Sequence, residues 1–567
     1  MGETRGLATR LSSMARATAA ASAFVLCLAG ASWADTAATS APGTEAGSTG
    51  NAPIGTETES NLPAAALAAG GPGFNEHYFN TAVAIDLSEN YTTNAAGIAG
   101  SNAWDFYSAL GANFSINTER RRFALHAGYS LTTNLYARHS RLDQLTNNLN
   151  AAGDIEIIPN HLRVDAQAYA APQTLSPLGV LTSNGRSVPN GTVDTYGYSV
   201  QPDFRFRIGD ALTSDLVVTH GGAFFVRPHS ASPVPVIPGF VNPTDTLSTS
   251  VTERLSSGPF FGRFRWELAG SDAEIRGIGS HTVKDDLSER TGLATLSYAV
   301  THGFSLLVTG GYEWIHTSVK LAKKLSGPVV LAGFQVNLGP AVQAQFQAGR
   351  QFNSASYTGS LHWELTPTLS VAGLLTDSVT TPAAQLISSL TNLASTPTGQ
   401  FVNGNDLYAS GAAPALANFN PGLFNPLSFQ QSISRVRAGQ LAVFEDLHRN
   451  HFSLGVHFAS NDYLSPLPHG ATRYSQALYG TFSAARDIRR NFRGFVSVSY
   501  GTDQEFGGRG NILNTMGGLD YQLSERMTVY LHSSYVNRQS SLSLRKLSPF
   551  TGKLNEAVVS LGLRRTF

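Results

Sequence analysis

Thiols are almost absent from this chain: Cys27 is the only cysteine in 567 residues. It lies in an amino-terminal stretch that reads as a cleaved leader, so the mature chain is expected to be cysteine-free, which excludes disulfides, thiol catalysis and thiolate metal sites. Charge is scarce as well. Lys+Arg and Asp+Glu both number 39, and a formal net charge of +0 gives no global field to draw in nucleic acid or an acidic ligand. Charged residues make up 14% of the chain, against about 25% in soluble domains. Long hydrophobic runs are missing too. Beyond residue 35 no stretch of about 18 apolar residues could span a membrane as a helix, and mean hydropathy is only −0.08. What the chain has instead is 55 glycines and 10% aromatic residues. Little charge, much glycine and aromatic content and no helical span together suit a β-barrel, whose polar lumen offsets its apolar outer face.

The amino terminus reads as an address. Arg5, Arg10 and Arg16 precede an apolar segment, 17–31, that contains Phe24-Val25-Leu26-Cys27-Leu28, and Ser32-Trp33-Ala34 places small residues at both cleavage-determining positions. Residues 1–34 are therefore expected to be a signal peptide cut after Ala34; the residues before Cys27 do not form a lipoprotein signal. The apolar segment is shorter than the roughly 20 residues a retained spanning anchor requires. Residues 35–74 consist mainly of Ala, Thr, Ser, Gly and Pro, too little apolar surface to fold alone, and are expected to be a disordered low-complexity linker. No repeat of about 20 to 50 residues suggests a solenoid or propeller.

From residue 75 to 567 the pattern has period two. Phe123, Leu125, Ala127, Tyr129, Leu131, Thr133 and Leu135 share one face while Arg122, His126, Ser130, Thr132 and Asn134 share the other. Phe106, Leu110, Ala112, Phe114 and Ile116 alternate in the same way with Asp105, Tyr107, Asn113 and Ser115. The runs match the roughly 9 to 11 residues of a tilted membrane strand rather than the 5 or 6 of a sandwich strand. Short turns, among them Pro159-Asn160, Gly209-Asp210, Gly339-Pro340 and Thr366-Pro367, alternate with mostly longer loops. Short periplasmic turns and longer extracellular loops are the signature of an outer-membrane barrel. Runs starting near 78, 104, 122, 144, 161, 193, 211, 246, 260, 286, 303, 328, 341, 355, 368, 431, 450, 472, 491, 510, 526 and 556 predict an all-β fold, a transmembrane antiparallel β-barrel of about 22 strands within a range of 18 to 24. The longest loop, 378–430, carries Leu386, Ile387, Leu390, Leu393, Phe419 and Phe424. Water disfavours such side chains, so the loop is expected to fold inward as a constriction, the alternative being an outward surface loop.

The last run places Ala557, Val559, Leu561, Leu563, Arg565 and Phe567 on one face, with Phe567 ending the sequence. An alternating strand closed by a terminal aromatic resembles the signal read by the outer-membrane barrel assembly machinery.

No phosphate loop, His-Glu-x-x-His arrangement or nucleophile elbow occurs, so no catalytic residue, metal ligand or cofactor is expected and an enzyme is not the reading. His448 and His451 are close in sequence and are expected to be solvated residues of a tight turn. The inward phase collects Arg205, Arg207, Arg263 and Arg265 near the periplasmic end, with Asp203 and Glu267 beside them. These residues suit an ion-pair network that stiffens a polar interior or, alternatively, a basic constriction that attracts anions. Gln335, Asn337, Gln343, Gln345, Gln347, Thr358, Ser360, His362 and Glu364 form a second inward patch of amides and hydroxyls, which a wet wall and a hydroxyl-rich solute would suit equally. A lumen of 22 strands is wide, and known barrels of that size are filled by a plug domain; the short linker is too featureless for one, which argues against an energised transporter.

The layout of 75–567, together with Asp203-Phe204-Arg205-Phe206, Gly311-Tyr312-Glu313-Trp314, Ala348-Gly349-Arg350-Gln351-Phe352 and the ending 562–567, resembles outer-membrane β-barrel porin families, particularly uncharacterised barrels associated with exopolysaccharide and exosortase-type systems. The resemblance implies a barrel in the bacterial outer membrane and a role near surface-polysaccharide export, and offers no catalytic residue. The expected function is a porin-like channel for small or hydroxyl-rich solutes; the alternative is a non-conducting structural or adhesive barrel acting through its extracellular loops. The partners expected are outer-membrane lipid, the assembly machinery and small solutes or polysaccharide, with no nucleic acid; oligomeric state is not legible.

Overall fold

The computed structural model describes residues 78–97, 100–174, 192–226, 245–278, 286–319, 321, 323–339, 341–381, 383–384, 387, 433–464, 473–505, 508–540 and 552–567. The expected signal peptide and linker lie outside these residues. Twenty-two strands follow one another along the chain: β1 Tyr78–Thr92, β2 Asp105–Arg120, β3 Phe123–Tyr136, β4 Gln144–Ile158, β5 Leu162–Thr174, β6 Thr192–Ile208, β7 Leu212–Val226, β8 Asp245–Ser257, β9 Phe264–Ile278, β10 Leu287–Thr301 and β11 Phe304–Thr317. The second half comprises β12 Gly327–Asn337, β13 Val342–Gln351, β14 Ser354–Thr366, β15 Leu369–Thr380, β16 Ser434–Leu447, β17 Asn450–Tyr463, β18 Tyr474–Arg489, β19 Phe492–Glu505, β20 Gly508–Ser524, β21 Met527–Ser540 and β22 Lys553–Thr566. Each strand pairs antiparallel with the next, and β1 pairs with β22 from Ala84↔Thr566 to Thr92↔Val558, so the sheet is a closed barrel. Closure leaves no edge strand with unpaired backbone groups.

The sequence-predicted strand starts fall within a few residues of the observed ones. The largest difference is at β9, expected near 260 and beginning at Phe264, because Pro259–Phe261 forms a 3-10 turn between Gly258 and Gly262, the latter at φ 64°. The alternation of connections holds with two exceptions at the long-loop end, where β13 and β14, and β19 and β20, are joined through two residues each. In the first of these Phe352 and Asn353 have φ of 52° and 55°, the left-handed pair that a two-residue hairpin of matching twist requires.

Strand phase separates two surfaces. Val83, Ile85, Leu87, Phe106, Leu110, Phe114, Leu454, Val456, Leu561 and Leu563 are all at least 39% exposed and lie on the outer face. The other face carries Ser88, Asn90, Ser115, Asn117, Asn150, Ser271, Thr291 and Thr309, all buried. The protein is thus apolar outside and polar inside, the reverse of a water-soluble domain. The strands are also tilted. The cross-strand row Arg205, Asp215, Arg254, Ala269, Leu293, Gly311, Val329 starts near the short-turn end of β6 and reaches the long-loop end of β12, the stagger that barrel closure demands.

The closing seam is locked by polar contacts. The Tyr530 hydroxyl donates to Asp86 Oδ1 at 2.5 Å, and Arg564 Nε donates to Asp86 Oδ2 at 3.0 Å. Phe567 caps the seam, its N–H donating to the Val83 carbonyl at 2.8 Å, with Arg565 4.9 Å from its ring centroid. Gly562 makes room for this arrangement: a Cβ there would stand 2.1 Å from Tyr530 Cζ. Gly562→Ala should therefore destabilise the folded barrel by about 1–3 kcal/mol, measured by urea unfolding in detergent. Gly270→Ala, at a site with nothing within 4 Å, should leave the midpoint unchanged; equal midpoints for the two variants would refute this account of the seam.

The barrel lumen as candidate functional site

The inward wall of β4 to β9 carries a run of neighbouring ion pairs. Arg163 Nη2 lies 2.9 Å from Asp165 and 3.6 Å from Asp154; Arg205 Nε lies 2.7 Å from Asp215 Oδ1; Arg254 Nε lies 3.6 Å from Glu267 Oε1. Register sets Asp203 opposite Arg163, and Asp215 opposite both Arg205 and Arg254, so signs alternate from β6 to β8, whereas Asp154 of β4 stands opposite Asp165 of β5 and Arg163 bridges the two acids. Arg163, Arg205 and Arg254 are thus shared among Asp154, Asp165, Asp203, Asp215 and Glu267, a ladder in which carboxylates outnumber cations. The four arginines expected to act together separate here. Arg205 is paired, whereas Arg207, Arg263 and Arg265 form no ion pair among the described residues. Arg207 is the penultimate residue of β6, Arg265 the second of β9, and Arg263 lies in the preceding turn rather than in a strand. All three sit at the short-turn rim.

The wall of β12 to β14 is different. Register aligns Gln335 with Gln345 and Asn337 with Gln343, and then sets Gln343, Gln345 and Gln347 against His362, Ser360 and Thr358. Thr309 Oγ1 donates to Gln347 Oε1 at 3.4 Å, and His362 Nε2 lies 3.5 Å from Glu364 Oε1. These groups make one continuous field of amides and hydroxyls carrying a single acid–imidazole pair. Nearer the short-turn end of the other half, His451 lies in β17 with Nδ1 2.8 Å from Asp446 and Nε2 3.8 Å from Asp487. Only His448, at φ 37°, is in the turn expected to hold both, because two residues suffice to reverse the chain there.

The long-loop mouth is narrowed from several sides. Ile275, Leu287, Leu325, Phe352, Val379, Ile433 and Leu464 form one buried apolar cluster, with Ile315, Val319, Leu321 and Ala384 packed on it. They come from strands and connections between β9 and the residue after β17, so one apolar cluster ties that arc of the rim together. Lys323 Nζ, in the β11–β12 connection, reaches Asp462 Oδ2 at the end of β17 at 2.9 Å. Beneath them Arg435, 5% exposed, donates through Nε at 2.7 Å and Nη2 at 2.5 Å to the two oxygens of the fully buried Asp377. Its remaining donors go to the Ser354 hydroxyl and the Ala355 carbonyl. The start of the long loop enters the lumen: Ile387 is 5% exposed, and a Cβ on Gly221, on the inner face of β7, would lie 2.7 Å from Ile387 Cγ2. A loop leaving β15 thus touches a wall eight strands away. Leu386, Leu390, Leu393, Phe419 and Phe424 lie outside the described residues.

Sequence reading missed Asp154, Arg163, Asp165, Asp215, Arg254, Asp377 and Arg435. Some of these carried a readable signal. Arg205 and Asp215 lie equally far from Asp210 in the middle of the β6–β7 turn, so hairpin symmetry predicts their contact once that turn is located. Asp377 and Arg435 are 58 positions apart around the long loop and had no such signal.

No family model and no curated protein matches this chain. Solved structures resemble it weakly. They include the siderophore receptor PirA from Pseudomonas aeruginosa, at 9% identity and TM-score 0.34, covering 86% of this chain and 80% of that one. The ferric enterobactin receptor PfeA from Pseudomonas aeruginosa matches at 8% identity and TM-score 0.38, over 87% and 81%. Acinetobacter baumannii OccAB3 matches at 10% identity and TM-score 0.28, over 86% and 100%.

Asp377→Ala leaves the Arg435 guanidinium buried without its counter-ion and should cost about 3–5 kcal/mol, read as a lowered unfolding midpoint in detergent. A loss below about 1 kcal/mol would mean that water reaches the pair and the mouth is not sealed there.

Proposed function

We propose that this barrel is a diffusion channel of the bacterial outer membrane, passing small hydrophilic solutes between the long-loop and short-turn ends. The inverted polarity of the wall supports this reading: exposed aliphatic and aromatic side chains outside, and inside an ion-paired ladder facing a field of amides and hydroxyls. A surface of exposed Leu, Val and Phe is stable only against hydrocarbon, and a closed antiparallel barrel satisfies every strand in that medium. The short-turn end then faces the periplasm, the longer loops face outward, and the Phe567 strand is the element offered to the assembly machinery.

Electrostatics suggests weak selectivity. The arginines on β4 to β9 are taken up by carboxylates, whereas Arg207, Arg263 and Arg265 form no ion pair among the described residues and set a mild anion preference at the periplasmic rim. The Gln-rich wall offers donors and acceptors without net charge, which suits sugars and accords with passage of an exopolysaccharide fragment. The mouth cluster and the contact of Ile387 with β7 favour a second reading, a barrel narrowed at its outer end whose activity resides in its loops.

Planar bilayers separate the two. A channel should give discrete conductance steps, and a neutral maltooligosaccharide should interrupt them from the outer side; bilayers silent across the accessible voltage range would sink the channel reading. Replacing Arg207, Arg263 and Arg265 together by Gln should move the reversal potential in a salt gradient toward cation preference. That shift should fade near 1 M salt, where the screening length falls to about 3 Å.

A further inference from the structure

From the outer surface of β22, β1, β2 and β3 at the long-loop rim, we infer a binding site for the phosphate group of an anionic membrane lipid, centred on Arg138 and Trp104. The inference rests on the reading of the barrel as membrane-embedded and goes beyond its role as a channel.

Three aromatic side chains point outward at this rim. Ring centroids of Tyr91 and Phe106 are 5.1 Å apart, those of Tyr91 and Trp104 6.4 Å, and those of Trp104 and Phe106 6.1 Å. Trp104 is 44% exposed and Phe106 52%. Directly below them on the same face lie the exposed Glu89 and the half-buried Ser108, and below that pair run Leu110, Phe114, Leu87, Ile85 and Val83, all exposed. Above them Arg138 places its guanidinium carbon 4.0 Å from the Trp104 ring centroid, within the range of a cation over an indole face. Going up the barrel, the order is aliphatic, the hydrogen-bonded Glu89–Ser108 pair, aromatic, cation. A phosphorylated lipid presents the complementary order of acyl chain, linkage region and phosphate.

Arg138 is held for this task and its charge is not spent. Asp105 is fully buried and turns its oxygens inward, accepting from the backbone N–H groups of Phe106, Arg138 and His139 and contacting His139 Nδ1 at 2.8 Å. The carboxylate beside Arg138 therefore fixes its backbone and leaves the guanidinium free. No ion pair to Arg138 occurs among the described residues; of the other acids nearby, Asp143 accepts from the Tyr136 N–H, and Glu89, below the aromatic cluster on the side away from Arg138, accepts from the Ser108 hydroxyl and is not neutralised by an ion pair among the described residues. Arg141, in the turn Ser140–Leu142, and Lys553, on the outward face of β22, are exposed and likewise without ion pairs. Arg290, on the outward face of β10, makes the contrast: Asp272 neutralises it at 3.1 Å. The rim therefore keeps unneutralised positive charge on one arc, next to its outer aromatic cluster.

Native mass spectrometry of the full barrel folded in detergent tests this, with bisphosphorylated lipid A and its dephosphorylated form as probes. The wild type should retain the phosphorylated form preferentially. Arg138→Gln should lower that retention about fivefold, the effect of one basic residue at an anionic surface; Arg138→Lys should restore most of it, and Arg290→Gln should change nothing. An excess of inorganic phosphate should displace little lipid, since the acyl chains share the binding. Equal retention by wild type and Arg138→Gln, or no preference for the phosphorylated form, would overturn the site while leaving the membrane reading intact. A chain that stays folded and dispersed without detergent would overturn the membrane reading, and the site with it.

Discussion

The rest of this structure depends on pairing every strand's backbone hydrogen bonds beneath an apolar outer surface. Where water is excluded, each unpaired N–H or C=O costs several kcal/mol, so a strand cannot sit at such a surface unless both its edges are paired. Closure through β1 and β22 meets that condition, and once it is met the side chains are free to take opposite roles on the two faces. Seam contacts follow from the same demand. Tyr530, Arg564 and Asp86 tie together strands more than 440 positions apart in sequence, and Gly562 is empty so that the Tyr530 ring can lie across the joint.

Inside, the problem is the opposite one. A wall facing water needs polar side chains, yet a wall of unpaired charges would repel itself. The chain answers with arginines set among carboxylates on β4 to β9 and with neutral amides and hydroxyls on β12 to β14. Strand tilt joins these regions: a row that leaves Arg205 near the short turns ends at Val329 near the long loops, so polar chemistry low on one side continues as apolar packing high on the other. The mouth cluster joins Ile275 and Leu287, lumen-facing in their strands, to Leu325, Phe352, Val379, Ile433 and Leu464 from the connections and strand ends at that rim. Burial there makes the Arg435–Asp377 pair consequential, since water cannot replace either partner.

Much of the barrel was legible in the amino-acid sequence because its determinants are local. Period-two alternation, run length and turn residues placed all 22 strands to within a few residues, and the one larger error, at β9, came from a Pro-Phe-Phe turn that reads as strand. Lumen-facing candidates could be sorted by phase for the same reason. Their partners could not, except where a hairpin folds symmetrically about a known turn, as Arg205 does onto Asp215. Four arginines that look alike in phase differ in outcome: Arg205 finds a carboxylate across its own hairpin, while Arg207, Arg263 and Arg265 lie at the rim and form no ion pair among the described residues.

By itself, then, the sequence determined which residues face out and which face in, since that follows from spacing two residues apart along one strand. It also determined the number of strands and the side on which the turns are short. Only the tertiary structure decided how far the ring is staggered, which charges cancel, and where the long-loop end narrows. Those outcomes depend on contacts between residues distant along the chain, Lys323 with Asp462, Ile387 with Gly221, Asp377 with Arg435, whose meeting is set by the curvature and tilt of the closed sheet and by no local pattern.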